Sequence, residues 1–411
     1  MHTSTDENPW ALLVYMVADH KAGHRVLDPY ADRELTAILE AARETDLPVV
    51  VQVDYRVKRG VTRITANATP NGILWRPIEP HRHHVRRQVL RSDAALDLRV
   101  EHGAESDAAG PHVLAQFLKW GRSQVPAKRY AILFWGHSCG PGGLFYDNRP
   151  GGSAKPMGLD DIERAMRKAR ADVILFRDCC MSTLETAFQL RDVANYTIAS
   201  QSLVPIRGQW PYVDLFAIMQ TAADGNEGAV ARALAARLGT YHDDPVNRFG
   251  LKDVPYALLD LEGVDALQQP LAELVVACDQ ARTQDRLRRM ADTAIRRARP
   301  VRAGDPSLVD IRVLCETLAD ARGALGTTAA SVVSALDRSL IKWNRSQKDH
   351  FRGVSAYCKP SERRAAHSFI DAWMAPSMYK NLELSQATRW DRVALQPPHL
   401  ASPRPSVRPG Q

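Results

Sequence analysis

Five stretches of the chain are apolar without alternation: Trp10–Ala18, Leu47–Val53, Tyr130–Trp135, Val173–Phe176 and Tyr196–Ala199. Short segments with apolar side chains on both faces suit strands covered from two sides, as in a parallel sheet between helical layers. The runs stop at residues with chemistry to offer: Asp19, Asp54, Gly136-His137, Arg177-Asp178-Cys179 and Ser200. Between them, Glu34–Arg43, His112–Val125, Leu159–Ala169 and Thr183–Val193 repeat apolar residues at i, i+3 and i+4, the stripe of a helix with one buried face. Strand and helix alternate, so the pattern predicts an α/β fold with a doubly wound, mostly parallel central sheet.

Three segments break this rhythm. Arg56–Glu105 is basic and irregular, with a hairpin signal at Pro70-Asn71-Gly72. Cys139–Gly158 is rich in Gly, Pro and Asn and reads as an exposed loop. From Gly225 the pattern turns mainly helical, the strand-like Gly353–Tyr357 follows, and Pro397–Gln411 is Pro-rich. The predicted organisation is a core over 1–224, a mainly helical insertion or cap over 225–345, a strand and helix completing the core over 346–396, and a disordered tail over 397–411.

Composition narrows the class. With 411 residues, 45% hydrophobic and 25% charged, the chain is an ordinary globular protein long enough to bury a core without staples. No apolar run approaches the ~18 residues of a membrane span, and Met1 to Asn8 is acidic and polar where a secretory leader is basic and then apolar. Six scattered cysteines make no disulfide framework, so a cytoplasmic setting is expected. The net charge of +7 and the run Arg76–Arg91, with His81, His83 and His84, raise nucleic acid as a partner. A solvated basic segment is the plainer reading of that run.

Ligands of open α/β sheets bind at the carboxyl ends of the strands. His137 ends one run and Cys179-Cys180 the next, separated by one loop and one helix, which places imidazole and thiol on one cleft. A thiol attacks as thiolate, and a neighbouring histidine can take its proton; a helix starting near Ser182 would add its dipole. A zinc site from His137, Cys139, Cys179 and Cys180 is the competing reading and lacks the usual ligand spacing.

The blocks around these residues resemble the clostripain-like cysteine peptidases, relatives of caspases and gingipains. Phe176-Arg177-Asp178-Cys179-Cys180-Met181-Ser182-Thr183-Leu184-Glu185 is similar to that family's F-D-A-C-L-M-G-T-L-E, and Phe134 to Gly140 to its W-x-H-G-x-G. Tyr15 to Asp19, Ile198 to Ser200 with Gly208 to Tyr212, Gly353 to Tyr357 and Thr388 to Trp390 resemble further blocks, from about Trp10 to Val393. The resemblance implies a caspase-like α/β/α sandwich and an endopeptidase with Cys179 as nucleophile and His137 as its acid–base partner. It also implies an oxyanion site at the N–H groups of Ser138 and Cys179. No cofactor is expected beyond the calcium that some members need.

Departures from the pattern carry the specificity reading. Ser138 stands at a family glycine, Cys180 at a leucine, and Arg177 at the aspartate that would receive a basic P1 side chain. A guanidinium facing P1 would bind a carboxylate, so the expectation is an acidic P1 preference led by Arg177, with Arg207, Asp178 and Ser200 at the same pocket. The outward-turned alternative pairs Arg177 with a surface acid such as Asp178. Cleavage in the 139–158 loop, at Asp147 or at Arg149 or Lys155, could release the cleft. An activating partner protein, as in signalling or defence systems, is the other route. A basic-P1 protease and a catalytically weak binding module are the rival readings.

Overall fold

The five apolar runs form the parallel centre of a nine-stranded sheet. The computed structural model describes residues 8–18, 21–22, 25–55, 61–68, 96–103, 108–145, 155–221, 226–299, 304–361, 365 and 367–396. In chain order the strands are β1 (Asn8–Val17), β2 (Lys21–Ala22), β3 (Arg25–Val26), β4 (Val49–Asp54), β5 (Val61–Ala68), β6 (Leu96–Gly103), β7 (Ala127–Trp135), β8 (Ala171–Arg177), β9 (Ala194–Ser200), β10 (Tyr256–Asp260), β11 (Leu308–Asp310), β12 (Ile341–Arg345) and β13 (Ser355–Tyr357). The main sheet runs β12-β10-β9-β8-β7-β1-β4-β5-β6. β4, β1, β7, β8 and β9 are parallel, and antiparallel pairs extend both edges.

Helices cover both faces. One face carries α1 (Asp28–Thr45), α5 (Tyr212–Thr221) and α6 (Glu227–Asp243). The other carries α2 (Pro111–Gln124), α3 (Leu159–Met166), α4 (Leu184–Leu190), α7 (Asp265–Arg282), α8 (Asp285–Ala298), α9 (Ile311–Ala319) and α10 (Ala324–Ala335). β4, Val-Val-Val-Gln-Val-Asp, is buried at all six positions because helices press on it from both sides. This is the α/β/α sandwich that the sequence predicts.

The edges differ from expectation. The 225–345 segment, expected as a mainly helical insertion or cap, also gives β10 and β12 to the main sheet, and α7 to α10 pack into the same core as α2, α3 and α4. The basic 56–105 segment supplies β5 and β6, while Pro70-Asn71-Gly72, Arg76–Arg91, His81, His83 and His84 lie outside the described residues. Edge strands such as β12 (Ile-Lys-Trp-Asn-Arg) are half-solvated, so their composition lacks the continuous apolar signal. β13 pairs with β11 in a separate two-stranded sheet. Among the described residues no helix is long and apolar enough to cross a membrane.

Candidate active site

Strands β7 and β8 run side by side, and their last paired residues are Trp135 and Arg177. His137 and Cys179 each follow by two residues, so the chain leaves the sheet with both at its carboxyl edge. The Ser138 hydroxyl donates to the Cys179 carbonyl and ties the two exits together.

Of the Gly- and Pro-rich 139–158 segment, expected as an exposed loop, the first part folds back into the protein and 146–154 lie outside the described residues. Residues 139–145 are buried. Phe145 N–H donates to the His137 carbonyl at 2.8 Å, Cys139 N–H to the Gly143 carbonyl at 2.8 Å, and Leu144 exchanges bonds with Met157 at 2.7 and 2.9 Å. Gly143 makes this fold-back possible: its φ is +113°, and a Cβ would lie 2.1 Å from the Met157 carbonyl oxygen. Lys155 is exposed; Asp147 and Arg149 lie outside the described residues.

Cys179 is half-buried. Its sulfur accepts from Val204 N–H at 3.4 Å, and the Val204 carbonyl lies 3.9 Å away. Burial pushes the thiol up to about 11, with the Asp178 carboxyl adding to the shift and the Val204 backbone and Arg177 opposing it. Cys180 is fully buried in a left-handed conformation (φ 56°), its N–H held by the Ser202 carbonyl at 2.9 Å. Cys139 is buried as well, so of the three local thiols only Cys179 reaches a surface. The helix expected near Ser182 is α4, starting at Leu184 and capped by Thr183, whose hydroxyl accepts from Thr186 N–H at 3.2 Å. Ser182 and Glu185 are instead braced from the C-terminal segment. The Ser182 hydroxyl donates to the Gly353 carbonyl at 2.7 Å, and Glu185 accepts from Tyr357 N–H at 2.8 Å and the Tyr379 hydroxyl at 2.6 Å.

Arg177 is where the sequence expectation needs correction. Its side chain is only 2% exposed and presents no free guanidinium to a substrate. It turns inward and pairs with Glu34: Nε donates to Glu34 Oε1 at 2.8 Å, Nη1 to the Pro205 carbonyl at 2.8 Å, and Nη2 to the Gly208 carbonyl at 3.0 Å. The Tyr212 hydroxyl donates to the same Glu34 oxygen, and the guanidinium lies 5.4 Å from the Trp210 ring centroid. Burial opposes the Arg177 charge, yet Glu34, Tyr212 and Tyr256 together outweigh it and raise the arginine above its ordinary value. A pair buried this deeply contributes little net stability, but losing one partner costs about 3–5 kcal/mol.

The other pocket residues divide by exposure. Arg207 is exposed on the loop after β9. Ser200 is buried; its hydroxyl accepts from Ser202 N–H at 3.1 Å and its carbonyl from Ser182 N–H at 3.1 Å, so it shapes the turn. Asp178 is fully buried, and burial pushes its carboxyl up to about 8 against the pull of Arg177. Asp54 is buried at the end of β4 and Asp19 lies outside the described residues. Among the described residues no group of three His, Cys, Asp or Glu side chains is placed to hold a metal ion, which gives no support to the zinc reading.

Two contributors had escaped the sequence reading. Glu34 left a signal: it is an acid on the buried stripe of α1, among Ala31, Leu35 and Ile38. Val204 left none, because it acts through its backbone.

A parallel-centred α/β/α sandwich with a cysteine and a histidine leaving neighbouring strands side by side is the architecture of a cysteine peptidase. The chain belongs to the clostripain family of peptidases, C11, whose model matches residues 14–393. No curated protein matches it. Its fold is similar to that of a secreted C11 cysteine protease from Bacteroides thetaiotaomicron bound to an irreversible peptide inhibitor, at 17% identity and a TM-score of 0.65 over 93% of this chain and 99% of the other. An inactive zymogen C11 protease from Parabacteroides distasonis is similar at 17% identity and a TM-score of 0.63, over 93% and 98%. At this identity the likeness is one of fold.

Proposed function

We propose that this cysteine peptidase cuts within protein or peptide chains with Cys179 as nucleophile and His137 as acid–base partner. The observation that carries the assignment is the shared exit of the two residues from the paired ends Trp135 and Arg177, tied by Ser138. His137 takes the thiol proton as the sulfur attacks the scissile carbonyl. The oxyanion is held by the N–H groups of Ser138 and Cys179, the kind of contact worth about 3–4 kcal/mol. Collapse expels the amine, which leaves with the proton from His137, and water releases the acyl group from sulfur.

Burial pushes the thiol up to about 11, so it is protonated at neutral pH and its proton moves to His137 during attack. The similar fold of an inactive zymogen C11 protease supports a protease switched on by self-cleavage at Asp147, Arg149 or Lys155, or by a partner protein. Six free cysteines support a reducing, cytoplasmic setting. The test is a fluorogenic peptide panel with Cys179→Ala and His137→Ala controls, beside labelling by a peptidyl acyloxymethyl ketone. Hydrolysis lost in both variants and label on Cys179 alone are expected. Hydrolysis persisting in Cys179→Ala would overturn the assignment, and peptide binding without label would favour a binding module.

A further inference from the structure

Whatever peptide is cut, its P1 residue sits against the Cys179 sulfur, because the scissile carbonyl carbon bonds to that atom. The backbone that meets the sulfur is Val204, on the loop that follows β9. P1 must therefore pass along the 203–208 loop. Arg177 holds that loop from behind through the Pro205 and Gly208 carbonyls, and Glu34 holds Arg177. The loop is closed further by Gln209, whose amide donates to the Arg33 carbonyl at 2.8 Å, next to Glu34. Gly208 keeps its carbonyl turned to Arg177 at φ +86°, where a Cβ would strike the Phe249 ring.

We infer that Glu34 and Arg177 form a specificity-determining pair: Glu34 masks the positive charge that Arg177 carries behind the P1 wall, and the pair leaves that wall without a net charge. The inference rests on Cys179 being the nucleophile. Arg177 alone would have drawn an acidic P1, and Glu34 alone a basic one. Together, 2.8 Å apart and both at most 2% exposed, they present loop carbonyls and neutral side chains. Leu203 and Ile206 are half-buried on the same loop, and its one charged side chain, Arg207, is exposed to water, where screening makes it a weak selector. An uncharged, apolar P1 follows.

The experiment compares kcat/KM on peptides with Asp, Leu or Lys at P1 for the full chain, Glu34→Gln, Arg177→Gln and the double variant. The unmodified protein is expected to favour Leu, with Asp and Lys within about tenfold of each other. Glu34→Gln unmasks the cation and shifts the Asp:Lys ratio about tenfold toward Asp, ~1.4 kcal/mol. Arg177→Gln shifts it about tenfold toward Lys. The double variant, with no net change in buried charge, returns the ratio to that of the unmodified protein. Single variants that slow all three substrates by one factor would show a purely structural pair and overturn the inference. Should either single variant fail to fold, the unmodified protein decides alone: a hundredfold preference for either charged P1 means the charge is not masked. Activity that survives Cys179→Ala would instead strike the nucleophile assignment, a separate failure.

Discussion

The Ser138 hydroxyl reaches across from one strand end to the next and donates to the carbonyl of Cys179. The residue after the histidine thereby fixes the peptide that carries the nucleophile. A glycine, which the family pattern has here, could not make this bond.

Ser138→Ala removes the tie and leaves a carbonyl acceptor short of a donor. A hydrogen bond of this kind is worth about 1 kcal/mol net, so kcat is expected to fall roughly fivefold with KM little changed. Ser138→Gly should lose as much or more, since it also frees the backbone. Steady-state kinetics on one good peptide checks both, and an unchanged kcat would reduce Ser138 to a bystander.

Asp178 makes stability depend on pH in an unusual direction for a carboxylate. Its ordinary value is 3.8 and burial pushes it up to about 8, so between those limits the folded chain keeps a proton that the unfolded chain releases. Rising pH therefore favours unfolding: this group's contribution is full below about pH 4 and is lost progressively up to about pH 8. Asp178→Asn keeps the shape and removes the titration. Its Tm should exceed that of the unmodified protein at pH 8.5 by more than at pH 5; equal differences at the two pH values would contradict the burial argument.

Gly143 is expected to tolerate no side chain. Its φ is +113°, and the methyl of an alanine there would meet the Met157 carbonyl oxygen at 2.1 Å, so Gly143→Ala must break the fold-back that positions the His137 carbonyl. Several kcal/mol of strain at ~2–4 °C per kcal/mol would lower Tm by roughly 10 °C. Thermal unfolding followed by circular dichroism reads this directly, and peptide cleavage should fall with it.

Alkylation separates the six cysteines. Cys179 and Cys278 are half-buried, and Cys139, Cys180, Cys315 and Cys358 are buried. With iodoacetamide at neutral pH the four buried thiols should stay unlabelled until the chain unfolds. Cys179 should label slowly and accelerate as pH climbs toward its value of about 11, ahead of Cys278, which burial pushes up to about 12. Mass spectrometry across a pH series gives both rates.

The sequence by itself determined the parallel centre of the sheet, since β1, β4, β7, β8 and β9 are covered on both faces and must be apolar over most of their length. It also brought His137 and Cys179 to one edge, because two consecutive parallel strands joined by one helix end on the same side. It could not give the edge strands: β5, β6, β10 and β12 are short or lie toward the margins of the sheet, and their pairing is antiparallel. Above all it could not say where Arg177 points. Its charge and place next to the nucleophile suggested a ligand for substrate, but Glu34, 143 residues earlier, takes up the guanidinium from α1. A side chain's charge is written in the sequence; whether that charge is left for a ligand depends on which partner the packing brings within reach, and only the tertiary structure decides that.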